Sequence, residues 1–254
     1  MAYKTDGSSH NDGIKNEENL IQRLQSGAAR QLYPDLSEDF QVIKRGGTKY
    51  KQDMEVVDGD TKILISAKKK TSISDGSFDW VNSSSATNKI DVLKEFANTV
   101  KSVAETQKTK SRARKLVSDA GNKALKGLCS SQLSDLLREN ILDKNKDMKV
   151  IISETSTGNN WEYNFEDSPL ANSIENHTPK IQMGRGKTSA KVVFEDSNGN
   201  IVDHGLRIRV VTNNGIGALI GQSKSNSCSI GVVKIQQDNI PGLISGLGTK
   251  IRKF

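Results

Sequence analysis

Asp53 and Lys68 are the two residues whose types and spacing most clearly suggest chemistry. Between them lies Asp58-Gly59-Asp60, flanked by two short apolar runs. An Asp-Gly pair in such a place predicts a β-hairpin turn, which folds the start of the first strand toward the end of the second. A carboxylate and a lysine that meet in this way can bind a hard cation and act on a water that attacks a phosphodiester. An ordinary cross-strand ion pair on a solvated sheet is the alternative explanation.

Side-chain alternation along the second strand decides which residues share a face with Lys68. Ile65 and Ala67 point to one face and are predicted core residues, whereas Ser66 and Lys68 point to the other. Ser66 and Lys68 therefore have the mutual orientation that an acid-x-Lys pair needs.

An amphipathic helix is predicted ahead of the hairpin, from about Asp12 to a stop at Gly27. Its polar face carries Glu17 and Glu18. Its apolar face consists of Ile14, Leu20, Ile21 and Leu24. Residues 40–43 predict a first strand, and a turn at Gly46 leads into the hairpin.

This order of a helix with Glu, then Asp53, a hairpin and Ser66-Ala67-Lys68 resembles the PD-(D/E)XK nuclease superfamily. Gln52 stands where the motif has Pro, and Ser66 stands where a second Asp or Glu is usual. Asp12-Gly13-Ile14-Lys15-Asn16-Glu17-Glu18 and residues 229–238 are similar to small type II restriction endonucleases that cut four-base sites such as GCGC and CCGG. The resemblance implies a mixed α/β fold, with a restriction-endonuclease-like mixed central sheet flanked by helices.

The same resemblance implies an Mg²⁺-dependent enzyme that hydrolyses double-stranded DNA. Asp53 binds the metal, Lys68 acts on the attacking water, and Ser66 fills the second-acid position. Because serine is a poor metal ligand, Glu17 is the candidate for the missing carboxylate. Glu18 and Glu55 are its alternatives.

The rest of the chain predicts a loop over the site at residues 71–87, followed by helices at 88–106 and 130–142. Strands are predicted at 148–152, 161–165, 190–194, 206–211 and 230–235. We therefore expect two domains: residues 1–145 as a catalytic core with a basic helical region, and residues 146–254 as a β-rich region that recognises or clamps DNA.

Positive charge points to a polyanionic partner, since the 254 residues carry a formal net charge of +7. Between Lys101 and Lys126 lie eight Lys and Arg residues against only Glu105 and Asp119. Such a run is ordinarily a solvated helix face, and contact with DNA phosphates is the alternative.

Candidate base-reading residues are Lys, Asn and Gln, because Asn and Gln pair with adenine and Lys with guanine. The candidates for DNA contact are Lys70, Asn214, Gln222, Lys224, Asn226, Lys234, Gln236 and Gln237. Turn chemistry explains the Asn-Gly and Ser-Asn pairs equally well.

Several other classes of protein are disfavoured. Gly184-Arg185-Gly186-Lys187-Thr188 lacks the first glycine of a phosphate loop, because residue 181 is Ile. Cys129 and Cys228 are too far apart for a metal motif, and the histidines are scattered. No stretch has the length of a membrane span, and no apolar leader precedes the helix, so we expect a cytoplasmic protein that acts as a monomer or homodimer.

Two further functions stay open. A neutral Ser66 is compatible with a DNA-binding protein that has lost catalysis on the same fold. A non-specific or structure-selective DNA nuclease is the other alternative.

Overall fold

A computed structural model describes residues 8–46, 52–74, 78–83, 89–184, 189–212 and 231–254; at 8–11, 78–83, 212 and 231–234 it describes the backbone alone. The chain is mixed α/β, as predicted. Its contacts define two compact units, each assembled from separate segments. The first unit comprises Met1–Gly76, Lys144–Ala171 and Ile240–Phe254, and the second comprises Ser77–Asp143 and Asn172–Asn239.

The helices in chain order are α1 (Ser8–Arg23), α2 (Ala29–Leu32), α3 (Asp91–Thr106), α4 (Lys110–Gly127), α5 (Ser130–Leu137), α6 (Asp143–Asn145), α7 (Pro169–Asn176) and α8 (Ile240–Leu247). Short π-helical segments occur at Leu24–Ala28 and Arg138–Leu142, and 3₁₀ turns at Phe165–Asp167 and Gly248–Lys250. The strands are β1 (Gln41–Lys44), β2 (Met54–Asp58), β3 (Thr61–Lys70), β4 (Phe78–Ser83), β5 (Met148–Glu154), β6 (Asn160–Asn164), β7 (Thr178–Met183), β8 (Ser189–Glu195), β9 (Ile201–Thr212), β10 (Gly231–Gln237) and β11 (Arg252–Lys253).

The first unit contains a mixed sheet in the order β1-β2-β3-β5-β6-β11. Strands β3 and β5 run parallel, while the other neighbours are antiparallel. The predicted hairpin is confirmed: Asp58 pairs with Thr61, and Gly59 has a φ of 57° between them. A two-residue turn needs this positive φ, which glycine adopts without steric cost.

Helix α1 covers one face of this hairpin. Leu20 and Leu24 share a buried cluster with Met54, Val56 and Ile65. The predicted helix stop is confirmed as a break at Gly27, whose φ of 127° lies outside the helical region. Packing of α1 on the hairpin is what places the polar face of the helix beside the strands.

The second unit contains an antiparallel sheet in the order β4-β10-β9-β8-β7. Helices α3 and α4 pack against each other, and α4 lies on β9. A Cβ at Gly121 would be 3.3 Å from the carbonyl oxygen of Val210, so glycine allows this close approach.

Two expectations about organisation need correction. Phe78–Ser83 forms a strand, not part of a loop, and it pairs with β10, because Phe78-Asp79-Trp80 has the two-residue period of a strand. The units are not two successive halves divided near residue 145. Parallel β3 and β5 require a long crossover, and here the connection between them supplies the Ser77–Asp143 segment of the second unit.

In the part of the chain described above, none of the helices combines the length and apolar character needed to cross a bilayer. Cys129 is exposed and forms no disulfide with a described residue, and Cys228 lies outside the described ranges.

Candidate functional site

Asp53 is held across the open end of the hairpin. Its Oδ2 accepts hydrogen bonds from the amide of Ala67 at 2.7 Å and from the hydroxyl of Ser66 at 3.2 Å. Its own amide donates to the carbonyl of Ile65 at 2.9 Å. Oδ1 receives no hydrogen bond from any residue that the structure describes. One carboxylate oxygen is therefore fixed by β3, while the other is available to a ligand.

Ser66 serves this arrangement as a hydrogen-bond donor. The residue is only 2% exposed, and its hydroxyl points at the Asp53 carboxylate. Ser66 lies at the predicted second-acid position on the same face as Asp53, but it contributes no negative charge. Its observed contact positions the carboxylate.

Glu17 on α1 lies within electrostatic reach of both hairpin residues. Burial raises the pKa of Glu17, and the negative charge of Asp53 raises it further; Lys44 and Lys68 oppose this rise only in part. The Glu17 side chain remains 26% exposed. Packing of α1 on the hairpin thus brings together the charges of Glu17, Asp53 and Lys68, which are far apart in sequence.

Lys44 is a member of this cluster that sequence reasoning missed. Its Nζ lies 3.9 Å from Oε2 of Glu17 and 3.1 Å from Oε1 of Glu18. The signal was available in principle, because Lys44 directly follows the first strand predicted at residues 40–43. The sequence does not show how β1 packs beside α1, and this packing is what brings Lys44 to Glu17 and Glu18.

The two alternative acids have other partners. Glu18 is mostly exposed and pairs with Lys44. Glu55 is nearly buried and accepts hydrogen bonds from Arg45 at 3.0 Å and Gln52 at 2.6 Å. Burial alone would raise the pKa of Glu55, but the two hydrogen bonds and the positive charges of Arg45 and Lys62 together lower it. Glu17 is therefore the acid best placed to act with Asp53.

The candidate DNA-contacting residues differ in how far they are buried and in what lies opposite them. Lys70 is half-buried and lies beside Glu154 in the parallel register of β3 and β5. Gln236 is half-buried in β10, opposite Arg207. Gln237 is 1% exposed and lies opposite the buried Leu206, so its burial does not favour the predicted contact with DNA.

The remaining candidates are not described at side-chain level. Lys234 pairs with Arg209 in the β10–β9 register, and its side chain lies outside the described atoms. Asn214, Gln222, Lys224 and Asn226 lie outside the described residues altogether, as do residues 185–188 of the segment 184–188 that lacks the phosphate-loop glycine.

Three scattered residues of the second unit meet in a cluster that sequence reasoning also missed. Oγ of Ser173 lies 2.8 Å from Nε2 of His204 and 3.1 Å from Nδ1 of His177. Ser173 is 1% exposed, which keeps its hydroxyl away from any bulky substrate. Burial lowers the pKa of His204, opposed by Asp203 and assisted by His177.

The groups available for chemistry at this site are the carboxylates of Glu17 on α1 and Asp53 on the hairpin, together with the ammonium of Lys68. No set of three or more Asp, Glu, His or Cys side chains is arranged to hold a metal ion within the described ranges. Mg²⁺ nevertheless binds through one or two carboxylates, and substrate phosphate and water complete its coordination. The donor set of Glu17 and Asp53 fits that mode of binding.

Comparison with known proteins adds no relative: no family model matches the chain, and searches of curated proteins and of solved structures find no similar chain.

Proposed function

We propose that this chain is an Mg²⁺-dependent endonuclease that hydrolyses phosphodiester bonds of double-stranded DNA, in the sequence-specific manner of type II restriction enzymes. The observation that carries the proposal is the Asp53 carboxylate held at the open end of the hairpin by Ser66 and Ala67, with the charges of Asp53 and Lys68 both acting on Glu17. The resemblance of the same residues to the PD-(D/E)XK motif supplies the reaction class.

Charge balance supports a divalent cation at this position. Burial raises the pKa of Glu17, and the negative charge of Asp53 raises it further, because the two carboxylates repel each other. When bound, Mg²⁺ would neutralise this charge and that of the scissile phosphate, and would supply an activated water. Oδ1 of Asp53 and the carboxylate of Glu17 are the oxygens that would hold it.

The protein residues then have distinct tasks. Ser66 and the Ala67 amide hold the Asp53 carboxylate in one orientation, so that little reorganisation is needed when substrate binds. Lys68 orients the attacking water and stabilises the negative charge that develops on the phosphate.

A catalytically inactive DNA-binding protein is the second candidate. Ser66 adds no charge at the second-acid position, and Lys44 lies between Glu17 and Glu18, where its ammonium partly neutralises them. A non-specific or structure-selective nuclease is separated from a site-specific one by the products that it forms.

Plasmid cleavage in Mg²⁺ tests the proposal with matched pairs of variants. Asp53→Asn and Lys68→Ala should each lower the cleavage rate at least about 100-fold, the scale of losing one catalytic group. Asp60→Asn in the turn and Lys69→Ala, at an exposed position of β3, should cleave like the parent.

The parent should give discrete fragments from long DNA. A smear would support a non-specific nuclease, and a mobility shift without cleavage would support the inactive protein. Equal cleavage by the Asp53→Asn, Lys68→Ala and control variants would contradict the assignment of the site.

A further inference from the structure

Helix α4 has one apolar side and one strongly basic side. The buried side contains Ala113, Val117 and Ala124, which face the neighbouring helix and sheet of the second unit. At about 100° of rotation per residue, Arg112, Lys115 and Lys126 fall within about 60° of each other on the opposite side. All three are exposed. We call these three residues the α4 basic face.

Most of the Lys and Arg residues between positions 101 and 126 form no ion pair with a described acidic residue. Lys123 pairs with Glu95 at 3.0 Å. With the residues that the structure describes, the other exposed cations from 101 to 126 form no ion pair: Lys101, Lys108, Lys110, Arg112, Arg114, Lys115 and Lys126. Asp119 is the one acid on this side of α4. The surface therefore keeps an excess of positive charge that the protein itself does not compensate.

The dimensions of this face suit a charged polymer. Arg112 and Lys126 are 14 residues apart, which is about 21 Å along a helix. Duplex DNA carries one negative charge per about 1.7 Å of its axis, so this length covers about 12 phosphate charges. A small anion would engage one residue of such a face, whereas a polyanion engages all three.

We propose that the α4 basic face binds the phosphate backbone of duplex DNA without reading its sequence. Arginine binds phosphate through two parallel hydrogen bonds, and Arg112 adds this to the point charges of the lysines. An anionic membrane is a poorer fit, because helices that lie on membranes insert an apolar face, and the apolar side of α4 is already buried. The choice of DNA as the polyanion rests on the proposed function.

Binding to a labelled random-sequence DNA duplex, measured in EDTA over a range of salt, tests the proposal. The variant R112Q/K115Q/K126Q removes three charges. Each duplex phosphate contact contributes about 0.9 to the slope of log K against log salt, so this slope should shrink by about 2.7. Affinity at about 0.1 M salt should fall by about 500-fold on the same basis, because a slope loss of about 2.7 acts over one decade of salt below 1 M.

The matched control is K89Q/K94Q/K123Q, which removes three charges from ion-paired lysines of the same unit. It should bind DNA within about twofold of the parent, because those lysines already have acidic partners. The charge-conserving variant K115R/K126R should also bind like the parent. Its retained binding would show that loss in the first variant reflects charge and not a folding defect.

Three results would overturn the proposal: equal salt slopes for the R112Q/K115Q/K126Q and control variants, no binding of duplex DNA by the parent, or loss of binding to phosphatidylserine vesicles but not to DNA. Because binding is measured in EDTA, this test is separate from cleavage. A parent that cuts plasmid while the variant binds DNA normally would reject the α4 basic face and leave the proposed function intact.

Discussion

At the scale of single residues, the two oxygens of Asp53 have different environments. Oδ2 is held by Ser66 and the Ala67 amide, while Oδ1 is not hydrogen-bonded within the described ranges. A carboxylate fixed through one oxygen keeps its orientation while the other oxygen binds a ligand. Ser66 thus orients the Asp53 carboxylate through a hydrogen bond and adds no charge of its own.

Replacing Ser66 with Asp should make stability depend on Mg²⁺. The new carboxylate would lie beside Asp53 at a position that is 2% exposed, so two like charges would repel where water is scarce. Without metal we expect destabilisation by about 1–3 kcal/mol, and Mg²⁺ should raise the melting temperature by binding the folded state.

The uncharged variant Ser66→Asn is the control, and its melting temperature should respond to Mg²⁺ no more than that of the parent. Thermal denaturation with Mg²⁺ or EDTA measures both variants. If the melting temperature of the Ser66→Asp variant does not change when Mg²⁺ is added, that result would contradict a metal site at the hairpin.

At the scale of elements, the break in the N-terminal helix gives a sharp comparison between two glycines. Gly27 has a φ of 127°, which L-residues rarely adopt, so Gly27→Ala should destabilise the protein by at least about 1 kcal/mol. Gly13 lies inside α1, and a Cβ at this position would enter open space, with no contact within 4 Å. Gly13→Ala should therefore stabilise by up to about 1 kcal/mol.

Urea unfolding of the two variants measures these opposite changes. If both substitutions shift the midpoint in the same direction, the break at Gly27 is not required by the fold. Because α1 carries Glu17, Gly27→Ala should also lower the rate of plasmid cleavage more than Gly13→Ala does.

The half-buried His204 of the second unit predicts a pH dependence. Burial lowers the pKa of His204 in the folded protein, so between that pKa and the ordinary value of about 6.5 the unfolded chain binds more protons. Stability should therefore fall as the pH drops below about 6.5. The groups near His204 that modify this effect are Asp203, His177 and Ser173.

The variant His204→Gln should lose less stability over the same acidic range, because its side chain does not titrate. Urea midpoints at several pH values for the parent and His204→Gln test this. Parallel curves for the two proteins would mean that His204 does not contribute to the acid sensitivity.

Local patterns predicted most of these elements. The hairpin follows from Asp58-Gly59-Asp60 and its flanking apolar runs, and α1 follows from a 3.6-residue apolar period. Strand β4 was missed because Ser, Asp and Asn around Phe78 and Trp80 favour a loop. The Ser173 cluster was missed because its contact with His204 joins α7 to β9, and nothing local in the sequence encodes that pairing.

At the scale of the whole molecule, the chain crosses between its two units several times. Composition changes near residue 145 because strands dominate beyond it, but contacts and not composition define a unit. The parallel pairing of β3 with β5 joins residues about 80 positions apart in sequence. Such long-range pairing cannot be inferred from the two strands separately.

In the candidate site too, contacts within one segment could be predicted, whereas contacts between distant segments could not. Asp53, Ser66 and Lys68 could be predicted together because one hairpin contains them. Glu17 could be proposed only through a family resemblance, since its position depends on how α1 packs on the strands. Lys44 depends on that packing and also on the register of β1.

The cleavage rate of Glu17→Gln, compared with Glu18→Gln in the same Mg²⁺-containing plasmid assay, tests the central claim most directly. Both variants remove one negative charge from neighbouring positions of α1 that share Lys44 as a partner. We expect Glu17→Gln to cut at least about 100-fold more slowly than the parent, and Glu18→Gln to cut within about threefold of it, as expected for an exposed ion pair. Unchanged cleavage by Glu17→Gln, or an equal loss in Glu18→Gln, would contradict the proposed site.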